Sequence, residues 1–168
     1  MPRVYVSIGS NIERESNIRA AVQALRDRFG TLTLSSVYES RPIGFDGENF
    51  YNLVAAFDTH ESPEVVARML HDIEQRHGRQ RGTSRFTSRT LDLDLLLYDN
   101  LVIDNDSLCL PRREIAEYAC VLRPLAELAP HDSHPLSGES FAQMWTKFDQ
   151  GTQPLVLVPL DLNGRPQP

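Results

Sequence analysis

The stretch LDLDLLL (91–97) places two carboxylates within a run of leucines, and it limits the possible folds more than any other part of the chain. Successive side chains on a β-strand point to opposite faces, so Asp92 and Asp94 would share one face, about 7 Å apart along the strand. The leucines at 91, 93, 95 and 97 would fill the other face. We therefore predict a strand with one face packed against helices and one acidic face.

The spacing of apolar residues elsewhere places this strand in a small sheet. In chain order it predicts a strand at 4–8 that ends at 9–11, a helix at about 18–29, strands at 31–39 and 50–58, a helix at 62–77, and the acidic strand at 91–97. Gly30 is placed to end the first helix, and Ser62 followed by Pro63 is a typical helix start. The order β-α-β-β-α-β is the ferredoxin-like arrangement, an α+β class with an antiparallel sheet and helices packed on it.

The remaining segments predict shorter elements and one compact unit. We expect a loop at 41–49 and, after the acidic strand, a strand at 101–104, helices at 113–119, 123–128 and 140–148, and a strand at 155–158. No internal repeat, low-complexity segment or interdomain linker interrupts the 168 residues. A chain of this length is most simply a single domain, 1–168.

Composition and charge exclude several classes of function. The net charge of −6 argues against a general nucleic-acid binder, although residues 76–89 carry five arginines and no acidic residue. Two cysteines do not suggest a disulfide framework, and no apolar run is long enough to cross a bilayer. With no signal-peptide pattern at the N-terminus, we expect a cytoplasmic protein without a membrane or nucleic-acid partner, and a monomer.

The aspartate pair predicts a magnesium site beside a phosphate-binding loop. Two carboxylates this close repel each other unless a cation lies between them, and Mg²⁺ prefers one or two carboxylates plus phosphate oxygens and water. Arginines upstream, at 79, 81, 85 and 89, can neutralise phosphate oxygens. The alternative is a solvated strand end whose aspartates form salt bridges with Arg89 or its neighbours. Neither a Walker pattern nor a protein-kinase glycine loop is present.

Aromatic residues around the 41–49 loop allow two interpretations. Phe45, Phe50 and Tyr51 can be core residues, or they can wall a slot for a flat heterocycle. In the second case Asn52 would offer a paired donor and acceptor to the ring edge.

Six stretches together resemble a known family: VSIGSN (6–11), SSVYESRPIG (35–44), FYNLVAAFDT (50–59), IEQRHGRQR (73–81), SRTLDLDLLLYDN (88–100) and LCLPRREIAEYACVLRPLAELAP (108–130). The string RTLDLD with G-R-x-R upstream is specific to the hydroxymethyl-dihydropterin pyrophosphokinase family of folate biosynthesis. The resemblance runs from the first strand to about Pro130, which leaves 131–168 as a C-terminal extension packed on the core. It implies a three-layer αβα form of the ferredoxin-like fold.

The resemblance also implies an activity: transfer of diphosphate from ATP to the hydroxymethyl group of 6-hydroxymethyl-7,8-dihydropterin, releasing AMP. It implies a catalytic set with two Mg²⁺ ions held by the aspartates, namely Arg79, Arg89, Asp92 and Asp94. Further residues would contact ATP: Glu74, Arg81, Arg85, Phe86, Leu95, Cys109, Arg112 and Arg113. The pterin slot would use Ser40, Pro42, Ile43, Phe50, Asn52 and Cys120.

The chain departs from the family pattern in and around its last matching stretch. Arg112 and Arg113 stand where the family usually has histidine after Leu-Pro, Tyr118 stands where it has arginine, and Cys120 replaces an aromatic residue that stacks on the pterin. Phe86 replaces a loop tryptophan. A guanidinium at 112 or 113 can supply the lost positive charge, because it binds phosphate well. A thiol cannot stack on a ring, so Cys120 predicts an altered pterin site.

Two other classes of function stay open. A divergent homologue can bind nucleotide or pterin with an altered substrate or without turnover, as a sensor or a partner subunit. Retention of both aspartates favours the enzyme, because a binding protein has no need for two metal-binding carboxylates. A ferredoxin-like RNA-binding module is disfavoured by the acidic net charge and by the lack of aromatic platforms in the K/R-G-F-x-F pattern.

Overall fold

The computed structural model describes residues 1–44, 46–77 and 91–162. Within them the elements are, in chain order, β1 (Arg3–Ser10), α1 (Arg14–Phe29), β2 (Thr33–Leu34), β3 (Val37–Ser40), β4 (Phe50–Asp58), α2 (Pro63–Arg76), β5 (Asp92–Tyr98), β6 (Ile103–Asp104), β7 (Cys109–Leu110), α3 (Glu114–Glu117), α4 (Ala119–Leu128), α5 (Phe141–Lys147) and β8 (Val156–Val158). A turn of 3₁₀-helix, Gln150–Thr152, precedes β8.

The main sheet confirms the predicted ferredoxin-like core. Its strand order is β5-β1-β4-β3-β8, with β2 pairing to β4 beside β3, and every pairing is antiparallel. The four strands of the β-α-β-β-α-β core therefore lie in the order β5, β1, β4, β3. A separate two-stranded hairpin joins β6 to β7.

Two apolar clusters show that helices cover both faces of the sheet, which confirms the three-layer form. On the first face α1 and α2 pack on side chains such as Val6, Leu53 and Leu93. On the second face α4 and α5 pack on Val54, Ala56 and Leu96. Successive strand residues alternate between the two clusters, so the pleat itself distributes the core.

The face of Leu97 differs from the prediction. The pairing of β1 with β5 shifts register between Tyr5 and Val6, so that Tyr5 lies opposite Leu97 and Val6 opposite Leu95. The extra residue, Leu96, forms a β-bulge, and after it the alternation is displaced by one position. Leu97 therefore belongs to the cluster under α4, whereas Leu91, Leu93 and Leu95 face α1 and α2 as predicted.

Two strands in the first half have different bounds from those predicted. β1 continues through Gly9 and Ser10, because both pair with β4. The single strand predicted at 31–39 is two short strands separated by two serines. The Ser35 hydroxyl accepts the backbone N–H of Val54 at 2.9 Å, and the Ser36 N–H donates to the carboxylate of Glu127 at 2.9 Å. These side-chain bonds compete with the regular ladder and interrupt it.

Helix ends in the first half follow the predicted signals. Gly30 ends α1 with a positive φ of 84° and donates its N–H to Arg26. Ser62 caps α2 by accepting the N–H of Val65, with Pro63 in the first turn.

In the second half, the strand predicted at 101–104 is reduced to Ile103–Asp104, and its partner β7 was not predicted. The turn between them depends on the Asn105 side chain, which accepts the N–H groups of Ser107 and Leu108. The helices predicted at 113–119 and 123–128 are instead α3 and a longer α4. α4 passes through Pro124, because its buried apolar face compensates for one missing backbone hydrogen bond.

The described part of the chain after residue 130, residues 131–162, packs on this core. α5 contacts α4, with Phe141 in the cluster on the second face, and begins with a capping box between Ser140 and Gln143. β8 pairs with β3 at the edge of the sheet. Among the described helices, none combines the length and apolar character that a bilayer crossing requires.

Candidate active site

Two rows of residues across the sheet form the floor of the site. Gly9 on β1 pairs with Asn52 on one side and with Asp92 on the other. One pleat further along, Ser7 pairs with Val54 and with Asp94. Residues two apart share a face, so both aspartates lie on the face that also carries Asn52. The same-face prediction for Asp92 and Asp94 is confirmed.

Small side chains on the central strand leave room above this floor. A Cβ atom at Gly9 would lie 3.4 Å from the Asn52 side chain and 3.9 Å from the ring of Phe50. α4 packs on the apolar part of the same face, and its first turn reaches the edge of the polar part. The result is a cavity of about 390 Å³ lined by Ser7, Ile8, Gly9, Ser40, Arg41, Ile43, Phe50, Asn52, Asp92, Asp94, Leu96, Arg112, Glu114, Tyr118, Cys120 and Val121.

Arg112 lies between two of the carboxylates of this cavity, those of Asp94 and Glu114. Its Nη2 atom lies 3.3 Å from Oδ1 of Asp94, and its Nε atom lies 2.9 Å from Oε2 of Glu114. The Nε and Oε2 atoms are buried, and within the described part of the chain neither makes a well-aligned hydrogen bond. Arg112 thus holds a positive charge between two carboxylates in a contact that is ionic rather than fully hydrogen-bonded.

The two aspartates fit a magnesium ion that takes most of its ligands from water and substrate phosphates. Asp92 and Asp94 offer hard oxygen ligands on one wall, and the Asp94 side chain is 39% exposed. Among the described residues, no group of three or more His, Cys, Asp or Glu side chains could hold a metal. Mg²⁺ is commonly bound by one or two carboxylates, with water and substrate phosphates completing its shell.

A second cavity, of about 300 Å³, lies beyond Asp94 and Arg112, which line both cavities. Its walls include Glu74, Leu95 and Cys109. Glu74 is only 5% exposed, and one of its carboxylate oxygens accepts the backbone N–H of Leu93 at 2.8 Å. Leu93 lies between the two aspartates, so this hydrogen bond joins α2 to the acidic segment of β5.

Polar side chains on the opposite wall of the first cavity form a short network. Asn52 donates to the hydroxyl of Ser40 at 2.8 Å, and Ser40 in turn interacts with the thiol of Cys120. Burial raises the pKa of that thiol to about 11, and the Ser40 contact only partly opposes the effect. Cys120 is therefore a neutral thiol at physiological pH.

The structure brings together most of the residues predicted for the site. The first cavity holds Ser40, Ile43, Phe50, Asn52, Asp92, Asp94, Arg112 and Cys120; the second holds Glu74, Leu95 and Cys109. Pro42 lies on a smaller neighbouring cavity, and Arg113 is exposed outside the walls of all three. Arg79, Arg81, Arg85, Phe86 and Arg89 lie outside the described residues, as does Phe45. The chemical roles of all these residues stay predictions.

The lining residues that sequence reasoning did not assign to the site include Ser7, Gly9, Arg41 and Glu114. Ser7 and Gly9 had a signal, because two small residues at alternate positions of a central strand leave space on one face. Glu114 had none, because no pattern in the sequence shows that the fold brings this residue and Arg112 to the cavity.

Fold and site together define a ferredoxin-like αβα protein whose sheet carries an acidic, arginine-paired cavity beside the start of α4. Residues 5–130 match the sequence profile of the 7,8-dihydro-6-hydroxymethylpterin-pyrophosphokinase (HPPK) family. The chain belongs to this family.

Relatives of known name support the assignment. The 2-amino-4-hydroxy-6-hydroxymethyldihydropteridine pyrophosphokinase of Pseudomonas aeruginosa is 41% identical over 132 residues, which cover 76% of this chain and 81% of that protein. The protein of the same name from Haemophilus influenzae is 37% identical over 133 residues, covering 77% and 82%.

Solved structures of low identity confirm the fold. The wild-type HPPK-DHPS of Plasmodium falciparum with pteroate superimposes with a TM-score of 0.68 at 11% identity, over 87% of this chain and 44% of that one. Our chain spans less than half of such bifunctional proteins.

Proposed function

We propose that this protein transfers the diphosphate of ATP to the hydroxymethyl group of 6-hydroxymethyl-7,8-dihydropterin and releases AMP, a step of folate biosynthesis. The observation that carries the proposal is the first cavity, in which a member of the HPPK family presents Asp92 and Asp94 on the same floor as Asn52. A pterin and the phosphates of ATP must meet for this reaction, and the cavity offers suitable groups for both.

The pterin is proposed to occupy the half of the first cavity near Asn52. The side-chain nitrogen of Asn52 donates to Ser40 and to the carbonyl of Tyr38, and its side-chain oxygen can accept from a ring edge. Phe50 supplies an apolar ring beside Gly9. Ser40, Pro42, Ile43 and Cys120 are proposed to complete this wall. The second cavity, with Glu74, Leu95 and Cys109, is proposed to take the nucleoside of ATP, which places the phosphates near Asp94 and Arg112.

In the transfer, the pterin hydroxyl oxygen bonds to the β-phosphorus of ATP, the bond from that phosphorus to the α-phosphate oxygen breaks, and the hydroxyl proton is lost. Such reactions depend on alignment and on charge neutralisation rather than on a side-chain nucleophile. Two magnesium ions, which Asp92 and Asp94 are proposed to hold, would neutralise phosphate charge when bound. Arg112 is proposed to contact phosphate oxygens, together with Arg113 and the arginines at 79, 81, 85 and 89. Phe86 is proposed to contact ATP elsewhere.

A second candidate function rests on the replaced residues. Cys120 and Tyr118 line the cavity where the resemblance leads us to expect an aromatic residue and an arginine. A homologue that binds pterin or nucleotide with another substrate preference, or without turnover, would be consistent with those two residues.

One assay distinguishes the two functions. Purified protein is incubated with ATP, Mg²⁺ and reduced 6-hydroxymethylpterin, and AMP and the pterin diphosphate are quantified by chromatography. We expect both products in equal amounts. Binding of ATP and pterin by calorimetry without AMP formation would favour the second function. The monomeric state and the cytoplasmic location stay predictions.

A further inference from the structure

Gln153, in the segment just before β8, makes two hydrogen bonds to the backbone between α3 and α4. Its side-chain oxygen accepts the N–H of Ala119, and its side-chain nitrogen donates to the carbonyl oxygen of Glu117, both at 2.9 Å. The residue between these two backbone groups is Tyr118. One side chain thus fixes the peptide groups on both sides of a residue that lines the first cavity.

The same segment lines a cavity next to the proposed pterin site. This third cavity, of about 230 Å³, is bounded by residues 152–155 on one side. On the other side it shares Ser40, Arg41, Ile43 and Cys120 with the first cavity. These shared residues therefore form a thin wall between the two cavities. The segment 152–155, on the far side of the third cavity, lies beyond the family match at 5–130.

We propose that Gln153 is a positioning residue of the substrate site, which holds Tyr118 and Cys120 in place for the pterin. The proposal rests on the proposed function for the identity of the ligand, but not for the geometry of the wall. A small thiol at 120 fills little of the space between the two cavities. The position of this wall therefore depends on the backbone, and Gln153 bonds that backbone directly.

Loss of the Gln153 hydrogen bonds is expected to affect the binding of the pterin and not that of ATP. Tyr118 and Cys120 line the first cavity and are not among the walls of the second, which is proposed to take the nucleoside. Loss of the Gln153 bonds should weaken pterin binding and leave nucleotide binding unchanged. The loss of a residue that only stabilised the fold would not change the binding of one substrate and leave that of the other unchanged.

The test compares Gln153→Ala with Gln150→Ala in the full-length protein. Gln150 is the matched control, because it lies in the same segment and also donates to a backbone carbonyl, that of Trp145, but lines none of the three cavities. We expect Gln153→Ala to raise the KM for the pterin about five- to tenfold, the scale of one or two lost hydrogen bonds, with the KM for ATP within about twofold. Gln150→Ala should change neither constant.

A second readout needs no turnover. Alkylation of Cys120 by iodoacetamide, followed by peptide mass spectrometry, reports local opening of the wall, and Cys109 in the same digest serves as the internal reference. We expect Gln153→Ala to raise the ratio of Cys120 to Cys109 alkylation at least about threefold, and Gln150→Ala to leave it unchanged. Gln153→Glu, which keeps the acceptor for Ala119 but loses the donor, should give an intermediate ratio.

The outcomes separate the two proposals. If the wild-type protein forms no AMP, the proposed function fails while the alkylation ratio still decides the role of Gln153. If Gln153→Ala does not fold, Gln153→Glu takes its place in both measurements. A wild-type alkylation ratio in Gln153→Ala, or an equal rise in Gln150→Ala, would overturn the inference.

Discussion

The guanidinium of Arg112 lies 3.3 Å from the carboxylate of Asp94, so one of the two arginines that stand where the family usually has histidine is paired with a proposed magnesium ligand. Arg112 and a metal ion therefore compete for the same carboxylate. Arg112 also lines both the first and the second cavity. From this position it can exchange Asp94 for phosphate oxygens when nucleotide and metal bind together.

The variant Arg112→Ala should separate metal binding from turnover. Without the guanidinium, binding of Mn²⁺ in the absence of nucleotide should tighten a few-fold, because a like charge next to the site is removed. AMP formation should fall at least about tenfold, because a charged donor to the phosphates is lost. Electron paramagnetic resonance and the AMP assay measure the two effects. The exposed Arg113 provides the comparison, and a larger loss in Arg113→Ala than in Arg112→Ala would contradict the assignment.

The variant Asp94→Ala tests whether this carboxylate is catalytic or structural. Turnover should fall at least about 100-fold, since a proposed metal ligand is lost. The melting temperature should change by no more than about 4 °C, because a half-exposed ion pair contributes about 1 kcal/mol or less. Asp104→Ala, on the exposed side of β6, is the control. A large fall in the melting temperature, measured by calorimetry, would show that Asp94 is structural.

Glu74 is expected to be important for stability as well as for the site. The variant Glu74→Ala leaves the N–H of Leu93 without its buried acceptor, which should lower the free energy of unfolding by about 1–3 kcal/mol. Glu74→Gln retains an acceptor oxygen and should lose less. Urea denaturation of the three proteins measures the difference. Equal stability of all three would mean that the hydrogen bond to Leu93 contributes nothing.

Adding an aromatic ring at position 120 should strengthen pterin binding. Cys120 lies between the first and third cavities, where a larger side chain has space. A ring that stacks on the pterin contributes about 1 kcal/mol, so Cys120→Phe should lower the dissociation constant about fivefold. Fluorescence titration measures the affinity, with Cys120→Ser as the control that adds no ring. Weaker binding in the Phe variant would show that this side of the cavity does not face the pterin ring.

The thiol of Cys120 also predicts how stability depends on pH. Its pKa is raised from the ordinary value of 9.0 to about 11 in the folded protein, chiefly by burial. Between those two values the folded state binds more protons than the unfolded state, so stability is full below pH 9 and falls as the pH rises toward 11. The loss has an upper limit of about 2–3 kcal/mol.

Urea unfolding at pH 8 and pH 10.5 checks this expectation. The wild-type protein should lose more free energy of unfolding between the two pH values than Cys120→Ser does. Ionisation of Tyr38, whose pKa burial raises to about 12, affects both proteins equally and cancels in the comparison. Identical losses would mean that Cys120 does not resist ionisation in the folded state.

Local signals were enough to predict much of the fold. Apolar alternation predicted β1, β4 and β5, and the signals at Gly30 and Ser62 correctly placed the end of α1 and the start of α2. These features depend on a residue and its near neighbours, which the sequence displays directly. The single strand predicted at 31–39 was wrong, because its division depends on hydrogen bonds to Val54 and Glu127. The strand Cys109–Leu110 was missed, because it depends on a turn closed by Asn105.

The sequence by itself determined the class of fold, the family and the shared face of Asp92 and Asp94, because period-two alternation sets side-chain direction along a strand. Only the tertiary structure decided which residues meet those aspartates. The register of three strands places Gly9 between Asn52 and Asp92, and the bulge at Leu96 turns Leu97 to the second face. The hydrogen bond from the backbone N–H of Arg112 to the carbonyl of Leu96 brings Arg112 to Asp94. Such contacts join residues distant in the chain, and only the packed sheet and helices specify them.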